Sequence, residues 1–235
     1  MSTKHQENKR RLLLFDIDGT IISPGNVGRK LLDKIFLDNF HRSPNLKYED
    51  VAGSTDPIIV EKGLLKIGEK KPLSQSIEFI LKLYQKSLET VFNKSNKPFV
   101  YNDSLDLLDK VKKNGHFYGL LSGNLARAAK IKLKKFDLWD QFSFGVYGED
   151  AVTRDDLVWV AREKAWDEFE ESFRFEDIIL IGDTEADAHA AYVNGAKSII
   201  VCRRPDKINI LKKSNATILV DDLSKVNINH VVKCA

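Results

Sequence analysis

Two aspartates two residues apart, Asp16 and Asp18, close the run Leu12-Leu13-Leu14-Phe15-Asp16-Ile17-Asp18-Gly19-Thr20. The four apolar residues ahead of them follow the charged Lys9-Arg10-Arg11 and predict a short strand buried on both faces. Carboxyl ends of strands border the crevice where an open α/β sheet binds its ligands. Two further predicted strands end in polar groups. Leu120-Leu121 runs into Ser122-Gly123-Asn124, and Ile178-Ile179-Leu180-Ile181-Gly182 runs into Asp183, with Asp187 four residues on. In a parallel sheet all three sets share one edge.

Clustered carboxylates repel one another, and a cation among them relieves that cost. Hard oxygen ligands with open positions suit Mg²⁺, which takes one or two carboxylates plus waters and a substrate phosphate. A carboxylate in such a site can attack phosphorus and form an aspartyl-phosphate. A second acid two residues away can protonate the leaving alkoxide, then take a proton from the hydrolytic water. Ser122 and the backbone N–H groups of Gly123 and Asn124, at a helix N-terminus, suit phosphate oxygens.

Other readings of the same residues are structural. Asp16-Ile17-Asp18-Gly19-Thr20 alone would serve as an Asx-stabilised turn. A calcium loop fails on spacing, because Gly19 stands at the fourth position rather than the sixth and Val27 at the twelfth. Ser122 is also a candidate N-cap. Asp187 either joins the metal or orients Asp183. The loop Gly53-Ser54-Thr55-Asp56 either caps the helix that begins near Pro57 or faces the substrate, with Thr55 as a contact. The five histidines show no metal-ligand spacing, and Trp139, Trp159 and Trp166 are expected to pack in the core or between domains.

These groups need a scaffold, and the hydrophobic periodicity supplies one. After the first strand, Ile21 to Gly25 reads as a loop. Helices follow, with Val27, Leu31, Leu32, Ile35 and Phe36 on one face, then from Pro57 to about Ile67, then from Leu73 to about Phe92. From Pro98 onward helices alternate with the strands His116–Leu121, Ser143–Tyr147, Asp177–Gly182, Ser198–Cys202 and Thr217–Val220. This alternation predicts an α/β fold, a Rossmann-like and mostly parallel sheet built from right-handed βαβ units. The block at 26–97 interrupts it directly after the first strand. It is expected to form an all-helical cap domain inserted into a core made of 10–25 and 98–235.

Phe15-Asp16-Ile17-Asp18-Gly19-Thr20, Leu120-Leu121-Ser122-Gly123-Asn124 and Ile181-Gly182-Asp183-Thr184-Glu185-Ala186-Asp187 resemble motifs one, two and four of the haloacid dehalogenase superfamily, in the family order. The insert is similar to the cap of its phosphoglycolate-phosphatase-like branch. The resemblance implies that Asp16 is the nucleophile and Asp18 the general acid/base. It also implies that Asp16, the Asp18 carbonyl and Asp183 hold Mg²⁺ with Asp187 close by, and that Ser122 holds the phosphoryl group. The third motif departs from the family pattern. Where a lysine is usual, the chain reads Thr153-Arg154-Asp155-Asp156. Arg154 is the first candidate for the missing cation, since its fork suits phosphate oxygens, with Lys132 second and Lys130 third.

The expected activity is hydrolysis of a small phosphorylated metabolite, phosphoglycolate being the substrate that the resemblance suggests. Asp18 argues against the dehalogenase branch, because expelling halide needs no acid. A phosphomutase of the β-phosphoglucomutase kind shares both aspartates, and a non-catalytic binding module would share the fold. A response-regulator receiver carries its phospho-acceptor at the end of its third strand, not its first. Composition adds bounds. A net charge of +3 on 235 residues gives no argument for a nucleic-acid partner. No apolar run reaches the ~20 residues that span a bilayer, and the N-terminus lacks a signal-peptide pattern. Cys202 and Cys234 make no disulfide framework, which fits a cytoplasmic protein, monomeric or homodimeric.

Overall fold

The computed structural model describes residues 9–70 and 73–231, so Cys234 lies outside the described residues. Strand β1 (Leu12–Phe15) leads through a turn to β2 (Ile22–Ser23), then to α1 (Val27–Phe40), α2 (Tyr48–Val51), α3 (Asp56–Lys66) and α4 (Ser74–Lys94). The chain returns through β3 (Phe99–Val100), α5 (Asn102–Lys113), β4 (Phe117–Leu121), α6 (Ala126–Lys134) and β5 (Gly145–Val146). It continues through α7 (Arg154–Phe169), β6 (Ile178–Gly182), α8 (Glu185–Val193), β7 (Lys197–Val201), α9 (Ile208–Leu211), β8 (Ile218–Val220) and α10 (Ile228–Val231).

Six strands form a parallel sheet in the order β5-β4-β1-β6-β7-β8. β1 is central, with Leu12 opposite Phe117 on one side and Ile178 on the other. Its side chains alternate between two cores, which explains the unbroken apolar run. Leu13 and Phe15 pack with Leu107 and Ala128, whereas Leu12 and Leu14 pack with Leu157, Ala161 and Ala190. Each is fully buried, worth roughly 1.5–3 kcal/mol apiece. The chain winds outward from β1 through β4 to β5, then resumes on the other side of β1 at β6. That reversal opens a crevice at the carboxyl ends of β1, β4 and β6.

The helices between β2 and β3 cover this crevice. α1 buries Val27, Leu31, Leu32, Ile35 and Phe36, and α4 buries Ile80, Tyr84, Leu88 and Phe92 at four-residue spacing, so the two pair along one apolar stripe. The block is tied to the sheet side. The Asp56 N–H donates to the Gly123 carbonyl at 2.7 Å, Lys135 Nζ donates to the carbonyls of Phe92 at 3.0 Å and Asn93 at 3.1 Å, and Lys207 pairs with Glu49 at 2.9 Å.

Several local expectations are corrected. The stretch Ile21–Gly25 contains β2, which pairs antiparallel with β3, Ile22 opposite Val100. Two-residue strands carry no readable periodicity. Tyr48–Val51, where no element was expected, forms a helical turn, and the strand at 143–147 shrinks to Gly145–Val146. Trp159 and Trp166 are about half exposed (51% and 54%) instead of packed inside. α7 turns its Leu157, Val158, Ala161 and Ala165 face to the sheet, leaving Trp159 to lean on Phe175 at 4.7 Å.

Candidate active site

The first residue past β1 is Asp16, and its backbone N–H donates to the Ile181 carbonyl at 2.9 Å, which anchors it between β1 and β6. The turn that follows is held by Ile17, whose carbonyl accepts from the N–H groups of Ile21 and Ile22, both at 3.0 Å. Gly19 has φ +91°, and a Cβ there would fall 2.2 Å from Asp183 Oδ2. Only glycine brings the Asp18 turn this close to the end of β6.

Asp16, Asp183 and Asp187 each place a carboxylate oxygen within 4.8 Å of the others. Asp187 is fully engaged by protein. Oδ1 accepts from Arg154 Nε at 3.0 Å and from Arg154 Nη2, while Oδ2 accepts from Thr184 N at 3.1 Å and Oγ1 at 2.5 Å, in a capping box that starts α8. Arg154 also reaches Asp16 Oδ1 at 3.2 Å. By contrast, Asp183 Oδ1 is buried with no hydrogen-bond partner.

Burial dominates the electrostatics. It pushes the Asp16 carboxyl up to about 6, against the opposing pull of Arg154 and with added repulsion from Asp187 and Asp18. Asp183 rises well above the usual carboxylate range from burial, then from Asp187 and Asp16. Burial works against the Arg154 charge, but Asp187 and Asp16 outweigh it and raise its pKa. One guanidinium therefore does not neutralise the cluster. An all-oxygen donor set that keeps a buried, unpartnered oxygen on Asp183 fits a hard divalent cation.

Across the cavity, Asp18 Oδ2 accepts from Lys132 Nζ and from Asn124 Nδ2 at 3.3 Å, and its Oδ1 is buried without a partner. Lys132, almost fully buried, also donates to Asn124 Oδ1. Ser122 Oγ accepts from Asn124 Nδ2 at 2.9 Å. Ser122 does not cap α6, a correction to its expected second role. The helix starts four residues later, where Asp56 Oδ2 accepts from Leu125 N at 2.8 Å and Glu149 accepts from Ala126 N at 2.9 Å.

Asp16, Asp18, Asp183, Ser122, Gly123, Asn124, Lys132 and Arg154 line one cavity of about 370 Å³. Its opposite wall comes from the helical block through Arg29, Ser54, Asp56 and Tyr84. Thr55 is buried and not among the lining residues, although Ser54 and Asp56 beside it are. Lys130 is exposed and lies 5.7 Å from the Trp139 ring, outside this cavity. Three further arginines, Arg29, Arg203 and Arg204, line the cavity without belonging to a sequence motif. Arg203 follows β7 and donates to the Gly19 carbonyl and to the Thr20 carbonyl, both at 3.2 Å, clasping the turn. Its signal was available, since it stands at the carboxyl end of a strand on the same sheet edge. Arg29 had none, because it lies within a helical stretch.

Residues 13–201 match the model of the haloacid dehalogenase-like hydrolases. The chain belongs to this hydrolase family. No curated protein matches the sequence. Among solved structures, it is similar to a hydrolase from Pseudomonas syringae, with TM-score 0.72, 17% identity, and coverage of 96% of this chain and 100% of that one. A predicted phosphoglycolate phosphatase from Haemophilus somnus gives 0.66 at 16% identity, covering 92% and 95%. CbbY from Rhodobacter sphaeroides, solved in complex with phosphate, gives 0.71 at 14% identity, covering 92% and 96%. At these identities the likeness is one of fold.

Proposed function

We propose that this hydrolase is a Mg²⁺-dependent phosphatase that hydrolyses a small phosphorylated metabolite through an aspartyl-phosphate. The observation that carries the reading is the position of the Asp16 carboxylate. It stands at the end of the central strand, facing a cavity that Asp18, Ser122, Lys132 and Arg154 also line. Asp16 attacks phosphorus, and the ester oxygen departs with a proton from Asp18. Asp18 then takes a proton from the water that attacks the phosphoryl group on Asp16, releasing phosphate and restoring the carboxylate. Arg154, already on Asp16, steadies the nucleophile and the transferring oxygens. Lys132 with Asn124 orients Asp18, and Ser122 holds a phosphoryl oxygen. Asp16, Asp183 and the Asp18 carbonyl would hold Mg²⁺ with Asp187 as support, and the ion supplies charge neutralisation for the phosphoryl oxygens. In this reading 26–97 works as a cap over the core, and phosphoglycolate is the first substrate to try.

The test is phosphate release from a panel of small esters, with and without Mg²⁺. Asp16→Asn keeps the side-chain volume and is expected to lose at least ~10³-fold in kcat with its fold intact. Substantial turnover in that variant would remove Asp16 as nucleophile. Isomerisation of sugar phosphates, followed in the same panel, separates a phosphomutase from a hydrolase.

A further inference from the structure

Five cations line the central cavity: Arg29, Lys132, Arg154, Arg203 and Arg204. Four are committed. Lys132 holds Asp18 and Asn124, Arg154 holds Asp16 and Asp187, Arg203 pairs with Asp103 at 2.7 Å, and Arg204 pairs with Asp206 at 2.9 Å while stacking on Tyr48 at 4.1 Å. Arg29 alone makes no hydrogen bond or ion pair among the described residues, although it is half-buried in the cavity wall.

Stability of its own helix does not account for this arginine. Arg29 is the third residue of α1, whose first turn holds no acidic residue. A positive charge there opposes the helix dipole. The backbone beneath it is set by close packing, since a Cβ on neighbouring Gly28 would come 2.6 Å from the Tyr84 hydroxyl. A half-buried, unpaired guanidinium on the part of the cavity wall that the helical block supplies is a ready partner for an anion. The phosphoryl group itself belongs at the floor, with Asp16, Ser122 and Arg154.

We infer that Arg29 binds a second anionic group, on the leaving portion of the substrate, and so selects phosphate esters that carry a carboxylate or a second phosphoryl group. This rests on the phosphatase reading for the placement of the first phosphoryl group. The remaining acids of the cavity support the assignment. Asp16, Asp18 and Asp183 lie on the floor, and Asp56 turns to the Leu125 N–H, so none of them pairs with Arg29.

Equilibrium binding to the Asp16→Asn protein, followed by calorimetry with Mg²⁺ present, tests the inference. The probes are 3-phosphoglycerate and glycerol 3-phosphate, which differ only in a carboxylate against a hydroxymethyl group. 1,3-Propanediol bisphosphate forms a third arm that separates phosphoryl from carboxylate selection. With Arg29 present, an anionic probe is expected to bind at least about tenfold tighter than glycerol 3-phosphate. Arg29→Gln should bring that ratio close to one, and Arg29→Lys should keep part of it, with thermal melts confirming that both variants fold. Equal affinities with Arg29 present, no binding of any probe, or a preference that survives Arg29→Gln would overturn the inference. Phosphate release by the protein with Asp16 intact is read separately. Selective binding without any release would sink the phosphatase reading and leave the anion site standing.

Discussion

At Asp16 two opposing influences meet: burial raises its carboxyl to about 6, and Arg154 at 3.2 Å pulls the other way. A nucleophile has to be ionised, so the balance depends on that guanidinium. Arg154→Ala should raise KM for phosphate esters and lower kcat by ~10²-fold, the scale of losing one stabilising donor, with Lys132→Ala milder. Steady-state kinetics of both variants decides this, and the opposite order would move the cationic role to Lys132. The site aspartates and Ser122 were legible because strand ends are legible, and the parallel sheet gathers them without further information. The contacts of Arg154 with Asp16 and Asp187 were not, since they join α7 to β1 and α8 across the chain. The N-cap role that the sequence leaves open to Ser122 falls instead to groups from outside the segment, Asp56 and Glu149.

Among elements, the meeting of the α3 entrance with the end of β4 sets the geometry of the crevice. A Cβ on Gly123 would fall 2.3 Å from the Ser54 carbonyl. Gly123→Ala should therefore displace the 53–56 loop and reduce kcat/KM by about tenfold or more, while the protein stays folded. Circular dichroism beside kinetics would show the split, and an unchanged kcat/KM would mean that the loop position is immaterial. At the opposite end of the sheet, buried Asp177 is held by Lys9, Arg11 and Arg174. Burial alone would raise its pKa, but these cations outweigh it and leave it lowered. A lowered acid adds stability that is present above its unfolded value near 4 and is lost as pH falls through its folded value. Asp177→Asn should cost about 1–3 kcal/mol at pH 7, and that difference should shrink below about pH 4 in urea titrations. A penalty independent of pH would assign the effect to packing. The helices and main strands were readable from periodicity, whereas the β2–β3 pair, two residues each, was beyond it.

For the molecule as a whole, strand–helix alternation after Pro98 carried the fold class, and the sheet has the parallel order that alternation implies. The ties between the helical block and the sheet side were invisible, because Lys135, Asp56 and Lys207 are ordinary polar residues until the fold brings their partners near. A buried carboxylate oxygen without a partner at Asp183 is costly to the fold, and in the proposed reading Mg²⁺ relieves that cost. Saturating Mg²⁺ should raise the melting temperature by several degrees, and Asp183→Asn should remove that response while melting no lower than the metal-free parent. Thermal scans with EDTA and with Mg²⁺ measure both, and an undiminished Mg²⁺ response in Asp183→Asn would place the ion elsewhere.

In the proposed reaction a phosphoryl group passes through Asp16. Rapid acid quench of the protein mixed with a slowly hydrolysed phosphate ester and Mg²⁺, followed by peptide mass spectrometry, addresses it most directly. A transient, hydroxylamine-sensitive phosphoryl label is expected on the peptide that contains Asp16, and none in Asp16→Asn. Turnover with no protein label, or a label on another residue, would contradict it.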